Sequence, residues 1–378
     1  MRDEIYMLWL SSLLPNLGSR KLNYLLLRFG DAKEIFTAPA NLLKTLGNLT
    51  DNALNHLTKN RDLGHIENLL QDMESKKMAY LSRNHDRFPT LLAAIPDPPV
   101  GIFYIGELPA DATNKIGIIG SRKCSDYGLQ TAKLLAKPLA ENGIIIVSGM
   151  ARGVDSMAHR GALEAGGKTI AVLGSGADIC YPAENKQLRD AIIENGCVLS
   201  EYPPGTKPLG AFFPARNRII SGLSRAIIVA EASRKSGTLI TVDQATEQGR
   251  EVLAVPGNIM SPLSAGTNHL IREGAIPVTD YTDVLFALGL SAKADTSNLD
   301  NQYAHGSAAV SKAQEDAISS LAPEEKLVYD SLTFDPVSFD SLVMNTKLTQ
   351  TTLHFICTTL ELKGLIKKLP GARYVRTN

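Results

Sequence analysis

Between residues 88 and about 290, five short apolar runs recur at intervals long enough for a helix to lie between them. They are Lys115-Ile-Gly-Ile-Ile119, Gly143-Ile-Ile-Ile-Val147, Thr169-Ile-Ala-Val-Leu173, Ala226-Ile-Ile-Val-Ala230 and Glu251-Val-Leu-Ala-Val255. Runs this short, rich in β-branched residues and without polar alternation, read as strands buried on both faces. Strands of that kind belong to a parallel sheet wrapped by helices, and stretches such as 127–142 and 238–249 are long enough to be the crossovers. The expected fold class is therefore α/β, a doubly wound and mostly parallel sheet over residues 87–290. Ligands of such sheets bind beyond the carboxyl ends of the strands. Nearly every Gly, Ser and Arg cluster of the region falls there.

The flanks read differently. Residues 1–86 look like short helices with no strand-like alternation. Leu14-Pro-Asn-Leu-Gly-Ser-Arg-Lys-Leu, running on to Phe29-Gly30, and Leu43-Lys-Thr-Leu-Gly47, running on to Leu57, each outline a glycine turn followed by an amphipathic helix. That pattern is open to two readings: a plain helical packing domain, or a SAM/helix-hairpin-helix-like unit whose turn amides meet a phosphate. Residues 291–320 are rich in Ser, Ala, Asp and Asn without a hydrophobic period, and read as a linker. Residues 321–378 resume as three short helices and a hairpin, the outline of a winged helix. Its last segment, from Glu361 to Asn378, has a net charge of +4. A chain of 378 residues is long enough for such a division, each part with its own core.

Charge is where the sequence turns informative. The chain has 39 basic and 39 acidic side chains, yet from Gly205 to Ile240 six basic residues face one acid. A neutral protein that gathers Lys207, Arg216, Arg218, Arg225, Arg234 and Lys235 around one strand is building a site for an anion, with a phosphate backbone the leading candidate. Gly120-Ser121-Arg122 ends the first strand with the wrong spacing for a dinucleotide fingerprint. Its glycine lets a phosphate approach, Ser121 offers a hydroxyl and an amide, and Arg122 offers a bidentate fork. Ser148-Gly149-Met-Ala-Arg152-Gly153-Val-Asp155 reads as a second anion nest. Within it Asp155 is expected to cap, and His159 to be a structural hydrogen-bonding group. Phe213 is either a core ring or a platform for an unpaired base beside Arg216, Asn217 and Arg218. Lys235-Ser236-Gly237-Thr238 opens a helix as a third cradle.

Catalytic patterns are poor: there is no GxSxG, HExxH or Walker lysine, and the seven histidines lack ligand spacing. No catalytic residue, metal site or cofactor is expected. Four separated cysteines fit single thiols of a reducing compartment. No apolar run approaches a membrane span, so the expected location is the cytoplasm.

Taken together, Gly120-Ser-Arg122, Ser148-Gly-Met-Ala-Arg-Gly153-Val-Asp155, Leu199-Ser-Glu-Tyr-Pro-Pro-Gly205, Phe213-Pro-Ala-Arg-Asn-Arg-Ile-Ile-Ser-Gly222, Lys235-Ser-Gly237, Val255-Pro-Gly-Asn258 and Gly266-Thr-Asn268 resemble the bacterial DNA-processing protein A (DprA/Smf) family. The motifs span about residues 90–275 in family order. The resemblance implies a Rossmann-like domain that binds single-stranded DNA, protects incoming strands and loads RecA in natural transformation. It implies no enzymatic activity, a homodimer formed through the Rossmann-like domain, and single-strand binding protein as a further candidate partner. By motif, Arg122 and Lys235 would hold phosphates, Phe213 would meet a base, and Ser148-Gly149 would give backbone contacts. Ala215 departs from the pattern, which often has a second basic residue there. The competing reading is an enzyme related to nucleoside-monophosphate phosphoribohydrolases of the lysine-decarboxylase-like group. Against it, Arg234 and Lys235 stand where the paired glycines of PGGxGTxxE belong, and the expected glutamate is absent.

Overall fold

A computed structural model describes residues 2–290, 321–333, 336–369 and 371–377. The linker expected at 291–320 lies outside the described residues. The chain divides into two compact units, residues 1–293 and 294–378.

The first unit is built on nine strands: β1 Met78–Ser82, β2 Gly101–Gly106, β3 Lys115–Ile119, β4 Ile145–Ser148, β5 Thr169–Val172, β6 Gly196–Ser200, β7 Ala226–Val229, β8 Glu251–Ala254 and β9 Ile276–Pro277. They form one sheet in the order β1-β2-β6-β5-β4-β3-β7-β8-β9. From β6 to β9 every neighbouring pair is parallel, and β1 and β2 add an antiparallel edge. The alternation of side chains explains the continuous apolar runs. Ile116, Ile118, Ile146 and Ile228 pack into a core on one face, while Ile119, Val147, Ile227 and Val229 pack into a core on the other. With both faces covered, polar residues such as Lys115, Ser148 and Thr169 fall only at the strand ends, and each buried apolar side chain contributes about 1.5–3 kcal/mol.

The chain runs β3, β4, β5, β6 outward in one direction and then returns across the sheet to β7, beside β3. The strand order therefore reverses between β3 and β7, where Ile119 pairs with Val229. That is the topological switch point of the sheet.

The amino-terminal helices pack directly on this unit. Trp9, Leu22, Leu25, Ile35 and Leu57 share a core with Phe103, Leu173 and Val198 of the sheet region, and Trp9 Nε1 donates to the Asn60 carbonyl at 2.7 Å. The segment is not wholly helical, since β1 falls within it. Met-Ala-Tyr-Leu-Ser carries one aromatic and no β-branched residue, so its strand character arises from pairing with β2.

The second unit holds helices Pro323–Asp330, Phe339–Thr346 and Gln350–Leu362. Its three-stranded sheet is β10 Val337–Ser338, β12 Arg373–Arg376 and β11 Ile366–Leu369, in that spatial order. Val328, Leu342, Leu353, Leu360 and Tyr374 form its core. Lys367, Lys368, Arg373 and Arg376 make the hairpin basic.

Candidate nucleic-acid interface

Arg122 leaves the carboxyl end of β3 exposed to solvent. Its guanidinium lies over the Phe213 ring, 5.1 Å from the centroid. Phe213, half-buried at the start of the helix Phe212–Leu223, also meets Tyr181 at a centroid distance of 5.5 Å and a tilt of 34°. Arg152, exposed in the loop after β4, is ion-paired with Glu184, and that hydrogen bond raises the Arg152 pKa further. Arg122, Arg152, Tyr181 and Phe213 border one small cleft, about 30 Å³, with Gly149 and Arg216 on its buried side. Two cations and two aromatic rings so arranged present both charge for a phosphate and a flat face for a base.

Several expected contacts are absent because the groups are already bonded within the protein. Arg218 is buried: it donates to Glu201 Oε2 at 2.6 Å and to Asp97 Oδ2 at 3.3 Å, and so serves the interior rather than a ligand. Arg216 is 4% exposed, with its Nη1 donating to the carbonyls of Gly149 and Val172. Burial pulls its pKa down to about 10, with nearby Asp155 opposing the shift. It underlies the cleft as a fixed positive charge and offers no fork to solvent. Arg225 bonds Asn114 and the Leu288 carbonyl before β7, at the opposite end of the strand from the cleft.

The second nest is likewise closed. The Ser148 hydroxyl donates to the Ile118 carbonyl at 2.6 Å, and the amides of Gly149 and Ala151 donate to Asp155 Oδ2. Asp155 thus caps the loop after β4. His159 is a structural group, its Nδ1 2.7 Å from Thr169 Oγ1; burial pushes its pKa down to about 3. The glycines serve packing. A Cβ on Gly149 would stand 2.4 Å from Arg216 Nη1, and Gly153, at φ +78°, sits where a Cβ would be 2.5 Å from the Ser121 carbonyl oxygen. Gly120 makes room for Val154 in the same way. The Ser121 amide donates to the Glu231 carbonyl at 2.8 Å.

At the switch point itself the crevice holds a side chain of the protein. Glu231, 1% exposed, accepts from the Ser125 amide at 2.7 Å and the Ser125 hydroxyl at 2.6 Å. These groups begin the helix Asp126–Glu141, and Gly128 there leaves room for the carboxylate. Lys235 is exposed on the loop after β7, next to the loop after β3 but outside the cleft. The Ser236 hydroxyl accepts from the Thr238 amide and lies 2.8 Å from Thr238 Oγ1, within its own turn. Gly237 is open, and Asn217 is half-buried on the helix that carries Phe213. Tyr181 is the participant that sequence reasoning missed. An aromatic residue beside Pro182 after a glycine turn was the available signal.

The fold and site together define a Rossmann-like protein with a basic and aromatic cleft at the carboxyl edge of its parallel sheet. Comparison with known proteins makes the class specific. Residues 79–289 match the family model described as DNA recombination-mediator protein A, and residues 312–372 match the DprA winged helix domain. DNA processing protein DprA of Streptococcus pneumoniae is 48% identical over 217 residues, 55% of this chain and 77% of that protein. Protein Smf of Synechocystis is 34% identical over 331 residues, 81% and 82% respectively. The X-ray structure of the S. pneumoniae protein covers 76% of this chain and 97% of its own, at 40% identity and TM-score 0.66. A Helicobacter pylori structure described by the single-stranded DNA binding mode of DNA processing protein A covers 56% and 95%, at 31% identity and TM-score 0.51. This chain belongs to the DNA recombination-mediator protein A family.

Proposed function

We propose that the protein binds single-stranded DNA along the carboxyl edge of its parallel sheet and passes the coated strand to a RecA recombinase. The observation that carries this reading is the Arg122 guanidinium held over the Phe213 ring, with Arg152 and Tyr181 bordering the same cleft. A cation for the phosphate beside a ring for the base needs unpaired bases, which a duplex does not offer. Lys235, on the adjacent loop, supplies a second phosphate contact. The H. pylori relative, described by its single-stranded DNA binding mode, supports the same substrate.

Within this reading the chain acts without catalysis and protects incoming strands during transformation. It works as a homodimer joined through the Rossmann-like unit, in the cytoplasm, with RecA and single-strand binding protein as partners. No described helix is long and apolar enough to cross a membrane. The test is anisotropy of the full chain against fluorescent oligo-dT and its duplex at two salt concentrations, followed by RecA-dependent strand pairing on strands coated with single-strand binding protein. Preference for the single strand, weakening with salt, and stimulation of pairing are the expected results. Equal binding to both DNA forms overturns the substrate, and unstimulated pairing overturns the transfer to RecA.

A further inference from the structure

The two glycine turns of the amino-terminal helices, distant in sequence, meet in space. Gly18, Arg20 and Lys21 from the first and Gly47 and Asn48 from the second line one groove of about 690 Å³. Its far wall is formed by Pro214 and Ala215, the residues that follow Phe213 in the chain. The helix Phe212–Leu223 thus borders the groove through Pro214 and Ala215 and the basic and aromatic cleft through Phe213 and Arg216. A packing seam between two elements would close, whereas a volume of this size lies within the range of about 300–1,000 Å³ common for ligand sites.

Its charge favours an anion. Asp97 is the only acid among the residues lining the groove. Its carboxylate is occupied from within, accepting from Ser19 Oγ at 2.8 Å, Asn23 Nδ2 at 2.6 Å and Arg218 Nε at 3.3 Å. Arg20 reaches it only at 4.0 Å and keeps its side chain 94% exposed. Lys21 stands beside Arg20 at the rim, and Tyr24, one turn further along the helix, offers a half-buried ring whose face meets Arg28 at 5.5 Å. A cation pair and an aromatic ring, across one helix from a cleft of the same composition, fit one occupant best.

We infer that this groove is a second segment of the strand track: single-stranded nucleic acid leaving Phe213 crosses Pro214–Ala215 and lies against Arg20 and Lys21. The inference rests on the substrate proposed above. It assigns the helical segment a role in binding length: short strands are held by the sheet edge alone, long strands by both surfaces.

The experiment compares the full chain with the double variant Arg20→Ala/Lys21→Ala, by anisotropy against a short oligo-dT of about six nucleotides and a long one of about twenty-five. The variant is expected to bind the short strand as the wild type does and the long strand about tenfold more weakly. Its salt slope on the long strand should fall by about 1.4, for two lost phosphate contacts on a single strand. The charge-preserving Arg20→Lys/Lys21→Arg variant should restore long-strand binding, and an unchanged melting temperature shows that the fold is intact. An unchanged affinity for the long strand, or an equal loss on both lengths, overturns this inference and leaves the sheet-edge site standing. Wild-type protein that binds neither length overturns both.

Discussion

The guanidinium of Arg122 lies 5.1 Å from the centre of the Phe213 ring, although one residue comes from the loop after β3 and the other from the helix before β7. The contact sets the arginine on an aromatic plane while leaving it exposed to solvent. Replacing Arg122 with alanine should weaken single-strand binding about tenfold or more, because charge-assisted hydrogen bonds are worth roughly 1.5–3 kcal/mol each. Lys235→Ala should do the same from the neighbouring loop. Arg122→Lys should recover part of the loss, since a point charge replaces a planar fork. Anisotropy titrations, with melting temperature as the folding control, check all three; wild-type affinity in both alanine variants removes these residues from the site.

Phe213→Ala should cost about 1–3 kcal/mol of single-strand affinity, the usual range for losing a stacked base. Phe213→Trp should retain most of it, while Phe213→Leu, apolar but without a ring face, should behave like alanine. If leucine binds as well as phenylalanine, the ring is a core group that merely lines the cleft.

Gly149→Ala should be a folding defect. The added Cβ would stand 2.4 Å from Arg216 Nη1, and that guanidinium is held by the Gly149 and Val172 carbonyls, so it has nowhere to retreat. Arg216→Leu should be at least as damaging, by about 3–5 kcal/mol, because it leaves Asp155 buried without its compensating cation. Urea titrations followed by circular dichroism measure both. A fully stable Arg216→Leu protein that has lost DNA binding would return Arg216 to the ligand side of the cleft.

Acid should destabilise the first unit through His159. Burial holds its folded pKa near 3, against an ordinary value of 6.5. The unfolded chain therefore binds the extra proton first. The stability at stake is fully present above pH 6.5 and is lost progressively as pH falls toward 3, at up to about 1.4 kcal/mol per pH unit. His159→Gln should flatten the fall in unfolding free energy between pH 6.5 and 5. An unchanged slope assigns the acid sensitivity to other groups.

Removing residues 300–378 should leave most of the single-strand affinity in place, because the cleft and the groove both lie in the first unit. Loss of binding in a truncated protein with an intact melting transition places the DNA site in the winged helix.

What could be read from the sequence follows from how far apart the interacting residues lie. Strands β3, β4, β5, β7 and β8 were legible as short apolar runs, whereas β6, Gly-Cys-Val-Leu-Ser, is just as buried but its run of three apolar residues is too short to stand out. β1 was not, since its strand character comes from pairing with β2, while β2, Gly-Ile-Phe-Tyr-Ile-Gly, carried a strand signal that sequence reasoning passed over. The residues of the proposed site, exposed Arg122, Arg152 and Lys235 and half-buried Phe213, were likewise visible as basic and aromatic residues in the segments that follow strands. Arg216 and Arg218 looked the same in the sequence, yet their partners Asp155, Glu201 and Asp97 lie far along the chain, and only folding shows those charges to be internal. Glycine carries a similar ambiguity. A glycine that admits a phosphate and a glycine that admits a buried guanidinium, as Gly149 does, leave the same letter.

Glu231 gives the fold an independence from the small molecules around it. In a doubly wound sheet the amides at the switch point ordinarily receive the phosphates of a cofactor. Here the chain has answered that demand with its own carboxylate, fastened by Ser125 and fitted against Gly128. A free nucleotide arriving at that crevice meets a negative charge in place of open donors. The Ser125 amide and hydroxyl at that crevice are thus satisfied within the folded protein by its own buried acid.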